Sequence, residues 1–413
     1  MKRFLAWAVL ALIPAAPLGA QDLVLINANV VDVTDGTVRR GASVVVREGR
    51  IASIVDGAAP APVGVRVVDL QGKFVAPGLI DAHVHVGSEA DAQRALRSGV
   101  TSMRSAGASH YADVGMRELQ RAGHLEAPEY LASGYHVRPD PAEGVFQDHP
   151  ELGRYMAEGI RGPEAIAAMV RAMTARRLDF VKVNATERAG TPNTDPRKQL
   201  YTEAELRVIV EEASRAGLGV MAHAHGDAGG RAAVLAGVKS IEHGTYLSPE
   251  TLRLMKERGT YLVPTIAIVR DLTVPGGDYD NALLNLRGRS LLPRVQEMAR
   301  AALSMGVKIV AATDTGYGPE STTTLAHELL ELVEIGMTPL QALQAATTVA
   351  AELLGIADHT GRIAPGLHAD LIVLERNPLD DVGVVQDPLV VVSDGRVVAQ
   401  RGDWPSERPI SQE

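Results

Sequence analysis

The sequence predicts an α/β fold: a (β/α)8 TIM barrel with a small β-sandwich domain built from both termini. Three observations carry this expectation. Short apolar runs alternate with amphipathic stretches through the middle of the 413-residue chain, glycine precedes several of those runs, and valine-rich runs broken by polar-glycine turns occupy both ends.

Residues 1–20 read as a signal peptide. Lys2 and Arg3 form a basic start, Phe4 to Ile13 is apolar, and Pro17-Leu18-Gly19-Ala20 ends in a small residue. The apolar run is well short of the ~20 residues a spanning helix needs. Cleavage near Ala20, a periplasmic or secreted address and a mature chain free of the membrane are expected. Residues 21–76 supply the first part of the sandwich, with turn signals at Asp35-Gly36 and Glu48-Gly49 between valine-rich runs. Residues 364–413 repeat this texture in ADLIVLERNP and PLVVVSDGRVVAQRG.

The barrel is assigned to residues 77–363. Its apolar runs are LIDAHVHV, GVTSMRS, EYLASGYHV, DFVKVNA, LGVMAHAH, VKSIEHG, YLVPTIA and VKIVAATD. Stretches such as PEAIAAMVRAMTARR and TEAELRVIVEEASRAG read as the helices between them. Gly99, Gly217, Gly237, Gly259 and Gly306 stand where a helix end feeds a strand. Eight such units favour a closed barrel over a doubly wound open sheet.

Composition narrows the chemistry. Hydrophobic residues at 46% and charged residues at 22% are an ordinary globular balance. A net charge of −9 leaves no basic footprint, so nucleic acid is not an expected partner. The absence of cysteine excludes disulfides, thiolate ligands and a cysteine nucleophile.

The unusual polar residues fall at the ends of the apolar runs, where such a barrel carries its chemistry. His83 and His85 sit two apart in a strand, on one face, and can chelate one metal. In FVKVN, alternation turns Phe180, Lys182 and Asn184 one way, Val181 and Val183 the other. A lysine on the inner face is costly unless paired or neutralised. It either snorkels to solvent or is carboxylated by CO2 into an anionic ligand able to bridge two metals. His223 and His225 also share a face; one is a ligand and the other lies near substrate. His243 and Asp314 each close an apolar run. Nitrogen and oxygen donors without sulfur suit Zn²⁺, Mn²⁺, Co²⁺ or Ni²⁺, with zinc the default. Pro275-Gly276-Gly277-Asp278 reads either as a loop gating the pocket or as an ordinary surface loop.

These residues resemble the binuclear amidohydrolase superfamily, and within it the imidazolonepropionase-like group that includes zinc-dependent Xaa-Arg/Lys and Xaa-Pro dipeptidases and ochratoxin-type amidases. APGLIDAHVHVG, GVTSMRSAG, DFVKV, AHAHG, SIEHGTYL, AATDTG and GRIAPGLHADLIVLERNPL carry the resemblance, which covers nearly all of the mature chain. It implies that His83, His85 and Asp314 hold one metal, His223 and His243 the second, and carboxylated Lys182 bridges both. Asn184, His225, Tyr246 and His136 become substrate contacts. Two departures stand out. Ser105 follows Arg104 where relatives often have aspartate, and SGYHVRPDPAEG replaces a Gly-Gly-His-Gly loop, leaving His136 or His149 to stand for its histidine. The resemblance also implies a homo-oligomer.

The function this implies is hydrolysis of an amide or peptide bond in a dipeptide or N-acyl amino acid, by attack of a metal-bridging hydroxide with Asp314 shuttling the proton. Esterase, lactonase, carbamate or phosphotriester hydrolysis on the same metals is the alternative. A non-catalytic binding protein on a decayed barrel is the third reading, opposed by the intact ligand set.

Overall fold

The computed structural model describes residues 22–60 and 64–402. The signal peptide expected over 1–20 lies outside them. In chain order the strands are β1 (Leu23–Val31), β2 (Val38–Arg47), β3 (Arg50–Asp56), β4 (Arg66–Asp69), β5 (Phe74–Pro77), β6 (Leu79–Val84), β7 (Val100–Ser105), β8 (Glu129–Leu131), β9 (His136–Val137), β10 (Phe180–Asn184), β11 (Gly219–Gly226), β12 (Ser240–Tyr246), β13 (Tyr261–Val263), β14 (Leu371–Leu374), β15 (Val390–Ser393) and β16 (Arg396–Gln400).

Both ends of the chain meet in one eight-stranded sheet, ordered β16-β15-β14-β5-β1-β2-β3, with β4 alongside β1. The junction is antiparallel, with Leu371 opposite Pro77 and Leu374 opposite Phe74. Alternate residues (Leu23 and Leu25, Val44 and Val46, Leu371 and Val373, Val390 and Val392) build an apolar cluster of their own. That is the period-2 burial of a sheet packed on one face.

The middle of the chain forms parallel sheets, β6-β7-β8 and β9-β10-β11-β12-β13, with helices between successive strands. The segment 308–315 runs between their free edges. Ile309 bridges Leu262 of β13, and Thr315 bridges Val84 of β6. Across the other gap, Asp179 N donates to Ala132 O at 2.8 Å. Residues alternate between two apolar environments. Ile80, Ala82, Phe180, Met221, Tyr261, Val263, Val310 and Ala312 pack together with Leu353 and Leu354. Val84, Val181, Val183, Ala222, Ile241, Leu262 and Ile309 pack outward against helices.

Three apolar runs differ from their expected form. The third splits into β8 and β9. The seventh stops at Val263, because Pro264 has no N–H to donate and Thr265 takes a left-handed φ of 48°. The eighth is extended with isolated bridges, since Thr313 is tied to Asp81 and Asp314 turns out of the ladder at φ 58°. Helix ends follow local chemistry: Thr202 and Glu205 form a reciprocal capping box, and Gly237 ends its helix in the left-handed conformation. Among the described residues no helix is long and apolar enough to cross a membrane.

Candidate metal centre

The C-terminal ends of β6, β10, β11, β12 and the 308–315 segment converge on one cavity, lined by His83, His85, Lys182, His223, His243 and Asp314 among others. On β6 the inner face carries Ile80 and Ala82, then His83 and His85. The parity changes because the β6–β7 register shifts between Asp81 and Val84. Lys182 projects inward two residues after Phe180, and His223 and His225 follow Met221 on the same face.

Two sets of donors form. His83, His85 and Asp314 place ligand atoms within 4.8 Å of one another, and so do His223, His225 and His243. One Asp314 oxygen lies 3.2 Å from His83 Nε2 and 3.1 Å from His85 Nε2. His225, expected as a substrate contact, thus stands inside the second histidine set. His243 adjoins Glu242 in sequence, yet both face inward, because His243 adopts φ 72°. Left-handed φ at a non-glycine costs on the order of 1–3 kcal/mol and persists where the surroundings enforce it.

A second layer orients the rings. His83 Nδ1 is 2.7 Å from Glu242 Oε2, whose carboxylate also binds buried Arg104 at 3.1 Å. His243 Nδ1 lies 2.7 Å from Thr265 Oγ1, His225 Nδ1 2.9 Å from Thr245 Oγ1, and His223 Nε2 3.2 Å from the Glu187 carbonyl. Each contact occupies one ring nitrogen and leaves the other for the cavity, the arrangement that orients metal-binding histidines.

Charge in the cavity is unbalanced. Burial pushes His85 below its ordinary range and His223 and His243 well below it, so these imidazoles are neutral, as metal ligation requires. Burial opposes ionisation of Asp314, but contacts with His83 and His85 outweigh it and keep the carboxylate ionised. Lys182 Nζ is buried and makes no hydrogen bond among the described residues. Burial pushes its pKa down to about 8. A buried, unpartnered amine amid neutral imidazoles and one carboxylate is an unstable arrangement by itself. The donors, free of sulfur and held by a second layer, fit divalent ions.

The remaining expected residues are placed as follows. His136 lines the cavity, stacks on His85 with ring centroids 6.3 Å apart, and contacts Asn184 Oδ1 at 2.9 Å. His149 is bonded to the Tyr111 hydroxyl and does not line it, so His136 is the loop histidine that faces the cavity. Tyr246 is absent from the lining, and the Arg294 guanidinium lies 5.6 Å above its ring. The Pro275–Asp278 loop is tied down by Asp278, which accepts from Thr315 Oγ1 at 2.6 Å, and it presents Tyr279 to the cavity. Sequence reasoning missed Arg104, Glu242 and Thr265, which hold the histidines, and Arg188, which lines the cavity. Glu242 carried a signal, as a charged residue within an otherwise apolar strand.

Comparison with known proteins agrees with this geometry. Residues 74–398 match the Amidohydrolase family. The chain is 32% identical to ochratoxinase of Aspergillus niger over 353 residues, covering 76% of this chain and 73% of that one. It is 26% identical to imidazolonepropionase of Symbiobacterium thermophilum over 386 residues, covering 82% and 85%. A solved Xaa-Pro dipeptidase with bound methionine superposes with a TM-score of 0.79 at 27% identity, covering 91% of this chain and 99% of that one. The fold and site therefore define a hydrolase acting on amide bonds. The chain belongs to the amidohydrolase family, among the relatives of imidazolonepropionase, ochratoxinase and Xaa-Pro dipeptidases.

Proposed function

We propose that the protein is a binuclear metal-dependent amidohydrolase that cleaves the amide bond of a dipeptide or N-acyl amino acid, on a (β/α)8 barrel. The observation that carries this reading is the buried, unpartnered Lys182 amine among two three-residue donor sets. His83, His85 and Asp314 would hold one ion, His223 and His243 the other. Lys182, carboxylated by CO2, would serve both; a pKa near 8 leaves part of the amine neutral and nucleophilic toward CO2 at neutral pH. Two divalent ions, zinc by default, supply Lewis acidity and an activated water at neutral pH.

The chain's own groups do the rest. Asp314 accepts the water proton at a carboxylate oxygen and returns it to the departing amine nitrogen, which leaves poorly unless protonated. Glu242 and Thr265 hold His83 and His243 in fixed tautomers and orientations. His225 and His136 face the reacting carbonyl and the substrate's polar end. Ile268, Val269, Leu272 and Leu291 form an apolar wall that excludes water from one side. The basic, apolar start of the sequence supports a periplasmic or secreted address.

Turnover of an N-acyl amino acid beside its ester analogue tests this reading. Chelator-sensitive release of the free amino acid is expected; ester cleavage without amide cleavage would move the assignment to the esterase and lactonase class.

A further inference from the structure

The cavity has a charged side that the metal chemistry does not use. Arg188 follows β10 and lines the metal cavity and the two cavities that adjoin it; Arg138 follows β9 and lines both of those neighbours. Both are half-buried, and among the described residues neither guanidinium makes a hydrogen bond or ion pair. The nearby carboxylates are engaged elsewhere. Glu187 accepts from Lys198 Nζ at 2.7 Å and from Asp195 N at 2.9 Å, and Asp140 lies 3.7 Å from Arg161. Burial and then the field of Arg188 lower the Arg138 pKa, and the opposing field of Asp140 offsets only part of this.

Both are held in place by their backbones. Arg287 donates to the carbonyls of Ala189, Thr191 and Thr194 at 2.7–2.8 Å, fixing the loop that carries Arg188. Pro139 O accepts from Ile160 N at 2.7 Å, fixing the turn after Arg138. Two guanidiniums carried on fixed backbone segments suit carboxylates, which they bind bidentately. The lining of the metal cavity also has an apolar part. An N-acyl amino acid carries its carboxylate on the amine half, so that half points to the arginines and the acyl half to Ile268, Val269, Leu272 and Leu291.

We propose that Arg188 and Arg138 form a two-carboxylate subsite, and that the substrates are apolar N-acyl or N-aminoacyl derivatives of an acidic amino acid. Arg188, nearer the metal donors, takes the α-carboxylate, and Arg138 takes the side-chain carboxylate. This rests on the amidase reading above and narrows it.

The test compares a matched pair that differs by one charge, an N-acyl-L-glutamate and the corresponding N-acyl-L-glutamine, on the metal-loaded enzyme. The expected kcat/KM ratio favours glutamate by on the order of tenfold or more, carried mainly by KM, as for a charge-assisted contact. In Arg138→Gln the ratio falls toward one, and Arg138→Lys restores part of it. Equal turnover of the two in wild type, or an unchanged ratio in Arg138→Gln, overturns the proposal. Calorimetric binding of glutarate and of its monoamide, glutaramate, gives a readout independent of turnover. If no N-acyl amino acid is cleaved but glutarate binds more tightly than glutaramate in an Arg138-dependent way, the subsite stands and the amidase reading fails. If neither preference appears, the subsite fails whatever bond the enzyme cleaves.

Discussion

Glu242 Oε2 lies 2.7 Å from His83 Nδ1, and the same carboxylate is clamped by the buried guanidinium of Arg104. Burial opposes charge on Glu242, yet Arg104 holds its pKa down to about 2. The acid is therefore ionised at every working pH, keeps its hydrogen bond to His83, and turns Nε2 toward the cavity. Replacing it by glutamine keeps the shape and removes the charge. Glu242→Gln is expected to weaken metal binding by about 10–100-fold, as for other partners of metal-binding histidines. It should also lower Tm, because Arg104 is left buried without its counter-charge. Metal titration and thermal melting check the two effects. An unchanged metal affinity would remove the positioning role.

Asp314→Asn tests the proton shuttle. The amide keeps a metal-facing oxygen but cannot carry a proton. Turnover is expected to fall by on the order of 10²–10⁴-fold with much smaller loss of metal. Kinetics paired with elemental analysis of the same sample separates the two, and wild-type kcat in the variant would exclude the shuttle.

Lys182→Ala is expected to empty at least one metal position, with occupancy and activity restored by a short carboxylic acid that replaces the lost bridging group. Full occupancy without added acid would show that Lys182 is not a ligand.

Gly107 adopts φ 128°, and a Cβ there would stand 2.1 Å from His136 Nε2. Gly107→Ala should displace the His136 ring from the cavity and raise KM on the order of tenfold, with metal content retained, since positioning groups act on substrate geometry. Loss of metal without a KM effect would place His136 among the ligands instead.

Away from the cavity, His359 Nε2 lies 3.0 Å from Glu129 Oε2. That bond pushes the His359 pKa up from 6.5 to about 9. The folded state thus holds the proton more tightly than the unfolded one. This stabilisation is complete below pH 6.5 and is lost as pH rises through 9. Tm of wild type should exceed that of Glu129→Gln at pH 6, and the gap should close near pH 10. A pH-independent gap would mean that the contact acts without charge.

Much of this arrangement is legible in the sequence because strand alternation is a strong constraint. It separates Lys182 and Asn184 from Val181 and Val183, and it pairs His83 with His85 and His223 with His225. Alternation fails where the backbone leaves the ideal strand. Glu242 and His243 are neighbours that face the same way only because His243 takes φ 72°, and the shift between Asp81 and Val84 resets the parity of β6. The choice between His136 and His149 depended on a Tyr111 contact 38 residues away in the chain. Arg138 and Arg188 resemble ordinary surface charges until the cavities and the engaged carboxylates around them are seen.

The central claim is the two-metal amidase, and metal content measured together with amide hydrolysis tests it most directly. Elemental analysis of the purified protein is expected to give about two divalent ions per chain. Release of free amino acid from N-acyl amino acids should stop on chelation and return when metal is restored. One ion or none per chain, with amide cleavage undiminished by chelator, would contradict it.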